Sequence, residues 1–264
     1  MKQLHSKDGT PIAFERSGTG PALILVDGAL CSRQSGPARP LAERLASQFT
    51  VFIYDRRGRG DSGNAVPYAV EREVEDIEAL IREAGGSACV YGISSGAALA
   101  LEAARRGLAI HKLALYEAPF IVDDSRPPIP PDFMKRLNEA LSTGRRGDAV
   151  KLFMKLVGVP AIVVALMRFL PAWSKLKAVA HTLPYDITLV QDYQRGSALP
   201  AGKWAGVTTS TLVLDGGKSP AWIRHAMKAL AGILPNAKFR TLEGQTHMVS
   251  PKALAPVLAE FFAG

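Results

Sequence analysis

The sequence predicts an α/β protein built on a mostly parallel, doubly wound sheet, with a helical insertion. Three observations carry that reading. Short apolar runs, of which residues 22–26 (ALILV) are the clearest, alternate with amphipathic or Ala-rich segments. The alternation stops near Pro119 and resumes after Lys203. The chain has 264 residues, 47% of them hydrophobic and 21% charged, which suits one sheet-based domain with a large core.

Each element follows from its local pattern. Residues 12–16 read as an edge strand, and 22–26 as a strand buried on both faces because the run is uninterrupted. A short helix over 41–47 and a strand over 51–54 come next. Residues 71–84 form an amphipathic helix ended by Gly85 and Gly86. A short buried strand over 88–91 leads into an Ala-rich helix over 95–106, stopped by Gly107, and then a strand over 113–116. Residues 119–203 hold Pro127, Pro128, Pro130 and Pro131 and several apolar helical stretches, with no clear buried strand. Alternation returns with a strand over 211–214, a helix from Pro220, a strand over 238–242 and a last helix over 251–262. Residues 1–118 and 204–264 are therefore expected to form the core, with helices on both faces of the sheet. Residues 119–203 are expected to cap the carboxyl edge of its strands, where ligands bind in such folds.

Composition narrows the function. The net charge is +8, but the arginines are dispersed in pairs such as Arg105-Arg106 and Arg145-Arg146, without an aromatic-interleaved patch. No nucleic-acid partner is expected from charge balance alone. The N-terminal MKQLHSKDGT lacks the apolar region of a signal peptide. The longest apolar stretch, 156–167, is interrupted by Pro160 and falls short of the roughly 20 residues a bilayer crossing needs. A surface helix near 163–173, flanked by Arg168, Lys175 and Lys177, has a poorly developed polar face, so no stable membrane association is expected. A cytoplasmic protein follows, its oligomeric state left open. Cys31 and Cys89 fit no metal spacing, and a reducing compartment would keep them as thiols. No ligand cluster implies a metal or an organic cofactor.

Gly92-Ile93-Ser94-Ser95-Gly96 is the chemical signal. It follows a short apolar strand and opens an Ala-rich helix, the context of a nucleophile elbow. The glycines relieve clashes in a turn that lifts the Ser94 hydroxyl to the sheet edge, beside the positive end of the helix. A serine N-cap in a plain strand-to-helix loop would leave both glycines unexplained. The hydroxyl needs a base. Of the five histidines, His247 lies in a loop after the last strand, where a late histidine completes an elbow site.

With these residues in place, the chain resembles the α/β-hydrolase superfamily over essentially its whole length. The likeness is carried by Val26-Asp27-Gly28, by Asp55 through Ser62 (DRRGRGDS), by the elbow, and by Gly244-Gln245-Thr246-His247. It implies an α/β-hydrolase fold and a serine nucleophile. It also implies an oxyanion hole of the Ser95 and Ala29 amides, and a bracing role for the arginines at 56–59. The sequence departs from the family at the acid. In the usual Gly-x-x-Asp segment, Ser219 stands where the acid is expected, and Asp215 lies four residues early. Glu117, at the end of the strand after the nucleophile helix, is the leading candidate, with Asp215 next and then Asp123 or Asp124. Certain haloalkane dehalogenases and the fungal zearalenone lactonases place an acid at that strand end. The lactonases also resemble this chain at Asp27-Gly28 and Ser94-Ser95-Gly96.

The expected activity is hydrolysis of a carboxylic ester or lactone of a fairly apolar small molecule through an acyl-enzyme. Ser94, His247 and Glu117 form its triad, and Leu30, Phe120, Met154 and Met248 are candidates for substrate contact. Acyl transfer, carbon–carbon bond hydrolysis or perhydrolysis on the same site, or ligand binding without turnover, are the alternatives.

Overall fold

A computed structural model describes residues 2–264. One sheet holds β1 (Lys2–His5), β2 (Pro11–Ser17), β3 (Ala22–Val26), β4 (Thr50–Tyr54), β5 (Ala88–Ile93), β6 (Ile110–Tyr116), β7 (Ser210–Gly216) and β8 (Ala237–Leu242). Their spatial order is β1-β2-β4-β3-β5-β6-β7-β8. The β1–β2 and β2–β4 pairs are antiparallel and the others parallel. The α/β, mostly parallel architecture is therefore the one the sequence predicts. The helices in chain order are α1 (Ala38–Leu45), α2 (Val70–Glu83), α3 (Ser95–Arg105), α4 (Phe133–Ser142), α5 (Arg146–Leu156), α6 (Ala161–Met167), α7 (Ala172–Val179), α8 (Leu183–Val190), α9 (Ala221–Ile233) and α10 (Pro251–Ala263).

The period-2 alternation of strand side chains divides the core into two layers. Leu23, Leu25, Val51, Ile53 and Tyr91 pack against α1 and α10. Ile24, Val26, Phe52 and Val90 pack against α2, α3 and α9. After β3 the chain moves outward to β4 and then returns across β3 to β5. The loops leaving β3 and β5 thus diverge at a reversal of strand order, the position where such sheets bind ligands.

Two elements differ from expectation. β1 escapes the apolar-pattern search because only Leu4 of its four residues packs on the core. Helix α1 starts at Ala38, ahead of the expected 41, because Pro40 falls in the first turn, where no N–H is needed. Between β6 and β7 the chain forms α4 to α8 and no strand among the described residues. These helices build an apolar cluster of their own, around Phe133, Leu137, Val150, Trp173 and Ile187, which Leu30 joins from the core side.

Candidate active site

The elbow is built as its glycines require. Ser94 has φ 58° and ψ −129°. A Cβ on Gly92 would lie 2.4 Å from the Gly96 carbonyl oxygen, and one on Gly96 would lie 2.2 Å from that of Val26. Neither position tolerates a side chain. The loop after β3 closes down on the nucleophile, since a Cβ on Gly28 would stand 2.9 Å from Ser94 Cβ and 3.4 Å from its Oγ. Ala29, the next residue, is therefore beside Ser94. Among the described residues, the amides of Ala29 and Ser95 donate to no protein acceptor.

Glu117, just after β6, and His247, in the loop after β8, meet across the end of β7, which lies between those strands. Glu117 Oε2 is 2.8 Å from His247 Nδ1, the geometry for Nδ1–H to donate to the carboxylate. Its Oε1 accepts from the Gly216 amide at 2.7 Å. The Glu117 side chain is fully buried, whereas that of His247 is 40% exposed. The histidine loop is fastened by the Tyr116 hydroxyl, which donates to the Thr246 carbonyl at 2.7 Å, and by the Lys218 amide donating to Gln245 O at 2.8 Å. No hydrogen bond joins Ser94 to His247 among the described residues. The non-glycine residues with positive φ are Leu30 (61°), Ser94 (58°) and Glu117 (49°). All belong to this site, and each costs of order 1–3 kcal/mol that the surrounding packing must offset.

The other candidate acids stand elsewhere. Asp215 is fully buried, its carboxylate has no hydrogen-bond partner among the described residues, and Arg224 Nε lies 3.6 Å away. Burial raises its pKa above the usual carboxylate value. Asp123 sits 2.7 Å from His225, an exposed pair away from His247. Asp124 is exposed.

Substrate candidates separate. Leu30 belongs to the helical cluster, and Ala29 and Met154 pack against it. Phe120 is a correction: it is fully buried in the sheet-side core, stacked on Trp204 at a centroid distance of 6.1 Å and tilted against Tyr193 at 4.9 Å. The cavity it borders with Tyr193 and Trp204 is lined by neither Ser94 nor His247. Met248, next to His247, is 85% exposed.

A buried charge network underlies the loop after β3. Arg56 forms a fork on Glu73, with Nε and Nη2 at 2.6 and 2.8 Å, and reaches Asp186 through Nη1 at 2.7 Å. Arg59 donates to the Gly28 carbonyl at 2.6 Å, to Thr182 Oγ1 at 3.1 Å and to Asp186 at 2.7 Å. Arg57 forks on Asp76 at 2.8 and 2.6 Å. The bracing expected of these arginines is present, but its partner in the insertion was not foreseen. The available signal was a single charged residue, Asp186, within the mostly apolar α8, LPYDITLV. Burial would raise the Asp186 pKa, but Arg59, Arg56 and the Ser95 hydroxyl hold it below the usual value. Asp27 shows the opposite balance. Burial pushes its carboxyl up to about 7 despite the Ala38 amide and the same two arginines.

Cys31 and Cys89 are free thiols, and burial raises the Cys31 pKa to about 12. Among the described residues, no group of three or more His, Cys, Asp or Glu is placed to hold a metal ion. No helix among them is long and apolar enough to cross a membrane.

Comparison with known proteins agrees with this architecture. A family model described as the alpha/beta hydrolase family matches residues 27–259. The crystal structure of an alpha/beta hydrolase from Sphaerobacter thermophilus is 56% identical, with a TM-score of 0.92, covering 99% of this chain and 100% of that one. The N-formylmaleamate deformylase of Pseudomonas putida is 32% identical over 145 residues, 52% of this chain and 52% of its own length. The uncharacterized hydrolase YraK of Bacillus subtilis is 34% identical over 98 residues, 36% of this chain and 35% of its own. The alignments thus span about half or less of these two curated relatives.

Proposed function

The chain belongs to the alpha/beta hydrolase family, and from that premise we propose that it is a serine hydrolase acting on carboxylic esters or lactones of a fairly apolar small molecule. One observation carries the reading. Ser94, in its strained turn after β5, and the Glu117–His247 pair, from the ends of β6 and β8, lie along one edge of the sheet.

In the proposed cycle, Ser94 Oγ attacks the carbonyl carbon and its proton passes to His247 Nε2. Glu117 holds the ring through Nδ1–H and stabilises the imidazolium. The carbonyl electron pair moves onto oxygen, where the Ala29 and Ser95 amides receive it. As the carbonyl re-forms, the ester C–O bond breaks and the alkoxide takes the proton from His247. Water then gives a proton to His247 and attacks the acyl-enzyme. The Ser94–acyl bond breaks, the proton returns to Ser94, and the acid departs. With a lactone, acid and alcohol leave as one hydroxy acid. Leu30 and Met154 supply apolar contact from the cluster above the loop after β3.

The likeness to an N-formylmaleamate deformylase supports a second reading, in which the same cycle cleaves a formamide C–N bond. A substrate panel of aryl esters, lactones and N-formyl amides, with product identification, separates the two. A fluorophosphonate probe should label wild type and not Ser94→Ala. Labelling that persists in Ser94→Ala refutes the assignment of the nucleophile, and failure of every panel substrate favours a binding protein.

A further inference from the structure

We propose that Asp186 is a positioning residue that makes the oxyanion hole depend on the docked helices of the insertion; this rests on the hydrolase reading above. Asp186 lies on α8, distant in sequence from every group at the hole, and is 2% exposed. Its Oδ1 accepts from Ser95 Oγ at 2.7 Å and from Arg56 at 2.7 Å, and its Oδ2 accepts from Arg59 at 2.7 Å. One carboxylate therefore grips both sides of the hole.

The grip on the Ala29 side follows from peptide geometry. The Gly28 carbonyl and the Ala29 N–H belong to one planar, trans unit, so fixing the oxygen fixes the direction of the N–H opposite it. Arg59 fixes that oxygen at 2.6 Å, and Asp186 is the carboxylate that holds Arg59. A charged donor on the carbonyl also polarises the same peptide and strengthens the N–H as a donor. Arg56 adds a longer contact to the Asp27 carbonyl at 3.4 Å, in the peptide just before. On the other side, Ser95 is the first residue of α3, and its hydroxyl is held while its amide is left free.

Charge neutralisation accounts for the contact to Arg59, whose ion-pair partner among the described residues is Asp186, but not for the contact to Arg56. Glu73 already forks onto Arg56 from the core side. What Asp186 adds is a link between Arg59, Arg56 and Ser95, supplied by the insertion. Thr182, just before α8, adds a second contact to Arg59 at 3.1 Å. The insertion is thus part of the hole's scaffold.

The test compares wild type, Asp186→Asn, Ser95→Ala and the double variant, with active sites titrated by fluorophosphonate. Four quantities are measured: kcat and KM on p-nitrophenyl butyrate, the inhibition constant of a trifluoromethyl ketone that forms a tetrahedral serine adduct, and the melting temperature. Loss of a whole oxyanion donor costs about 100- to 1,000-fold, so a misaimed donor should lower kcat per titrated site by about tenfold to hundredfold. KM should stay near wild type, and the ketone should weaken by the same factor as kcat. Removing Ser95 Oγ in the Asp186→Asn background should cost much less than in wild type, because the hydroxyl acts through the carboxylate. Lower melting temperatures with unchanged kcat per site and unchanged ketone affinity overturn the proposal. Should Asp186→Asn fail to fold, Ser95→Ala decides by the same criteria. A wild type that the probe does not label overturns the hydrolase reading and this inference together; a labelled wild type with unaltered variants overturns this inference alone.

Discussion

The neighbouring strands β6 and β7 both end in a buried acid, yet the two acids have opposite fates. Glu117 follows β6 in a left-handed conformation, which turns its side chain along the sheet edge onto His247 and the Gly216 amide. Asp215 remains inside β7, still paired in register with Thr241 of β8. Its carboxylate has no hydrogen-bond partner among the described residues and faces Arg224 of α9. Position within the chain puts Asp215 nearer the usual acid site, but the direction of the side chain decides. A strand residue points perpendicular to the sheet, away from a histidine at its edge. One residue past a strand, a backbone at φ 49° redirects the side chain along the edge. The strain at Glu117 is the physical price of moving the acid by one strand.

The comparison breaks most easily at Glu117. Glu117→Gln preserves size but loses the charge that orients the base and stabilises the imidazolium. Where the equivalent carboxylate has been neutralised, kcat falls by about 10,000-fold. We expect a fall of roughly 1,000-fold or more with KM little changed, measured by stopped-time ester hydrolysis per titrated site. Activity within tenfold of wild type would remove Glu117 from the triad.

A third strand-end carboxyl, Asp27 after β3, sharpens the contrast by titrating near neutrality. Its pKa moves from 3.8 to about 7 because burial disfavours the anion. The folded state therefore holds a proton that the unfolded state has released between roughly pH 4 and pH 7. Asp27 costs no stability below that window, and stability is lost as pH rises through it. Asp27→Asn keeps the shape and removes the ionisation. Relative to wild type, it should gain stability between pH 4.5 and pH 8, by up to roughly 4 kcal/mol. Urea unfolding at both pH values measures the gain. An identical difference at the two values would show that Asp27 does not titrate between them.

How much of this was legible in the sequence depends on the range of the interaction. The strands of the parallel sheet, the elbow and His247 each carry a local signature: an apolar run, paired glycines, a late loop histidine. Glu117 was legible only as an acid at the end of a strand, because its conformation and the Gly216 contact depend on a partner 99 residues away. Asp186 was not read at all, since its partners lie 91 to 130 residues distant. Phe120 shows the reverse error. Phe120 belongs to the apolar residues of the insertion expected to offer substrate contact, whereas Tyr193 and Trp204, distant in sequence, pack against it in the core. Periodicity reports what a segment buries, not which segment buries it.

The relocation itself can be tested by partial reversal. Ser219 is buried, and its hydroxyl has no hydrogen-bond partner among the described residues. It stands close to the histidine loop: a Cβ on Gly216 would meet both Ser219 Oγ, at 2.9 Å, and Gln245 O, at 2.5 Å. Adding Ser219→Asp to Glu117→Gln should return a charge to the histidine from the β7 side. We expect kcat to recover by about tenfold, a small share of what a well-placed acid or base contributes. No recovery, with His247 still labelled by diethyl pyrocarbonate, would show that this edge no longer admits an acid from β7.

The smallest effect is expected at Asp215, and it is the most direct measure of the contrast. An unpaired buried acceptor costs about 1–3 kcal/mol, and a charged one more. Burial has raised the Asp215 pKa, so its contribution falls as pH rises through the folded value, the same sign as for Asp27. Asp215→Asn should therefore leave kcat near wild type and raise stability by about 1 kcal/mol at pH 8, with a smaller gain at acid pH. A large loss of kcat from this change, per titrated site, would return the acid to β7. A loss of stability without loss of kcat would instead mean that Asp215 finds a partner in solution, most simply Arg224, whose Nε lies 3.6 Å away.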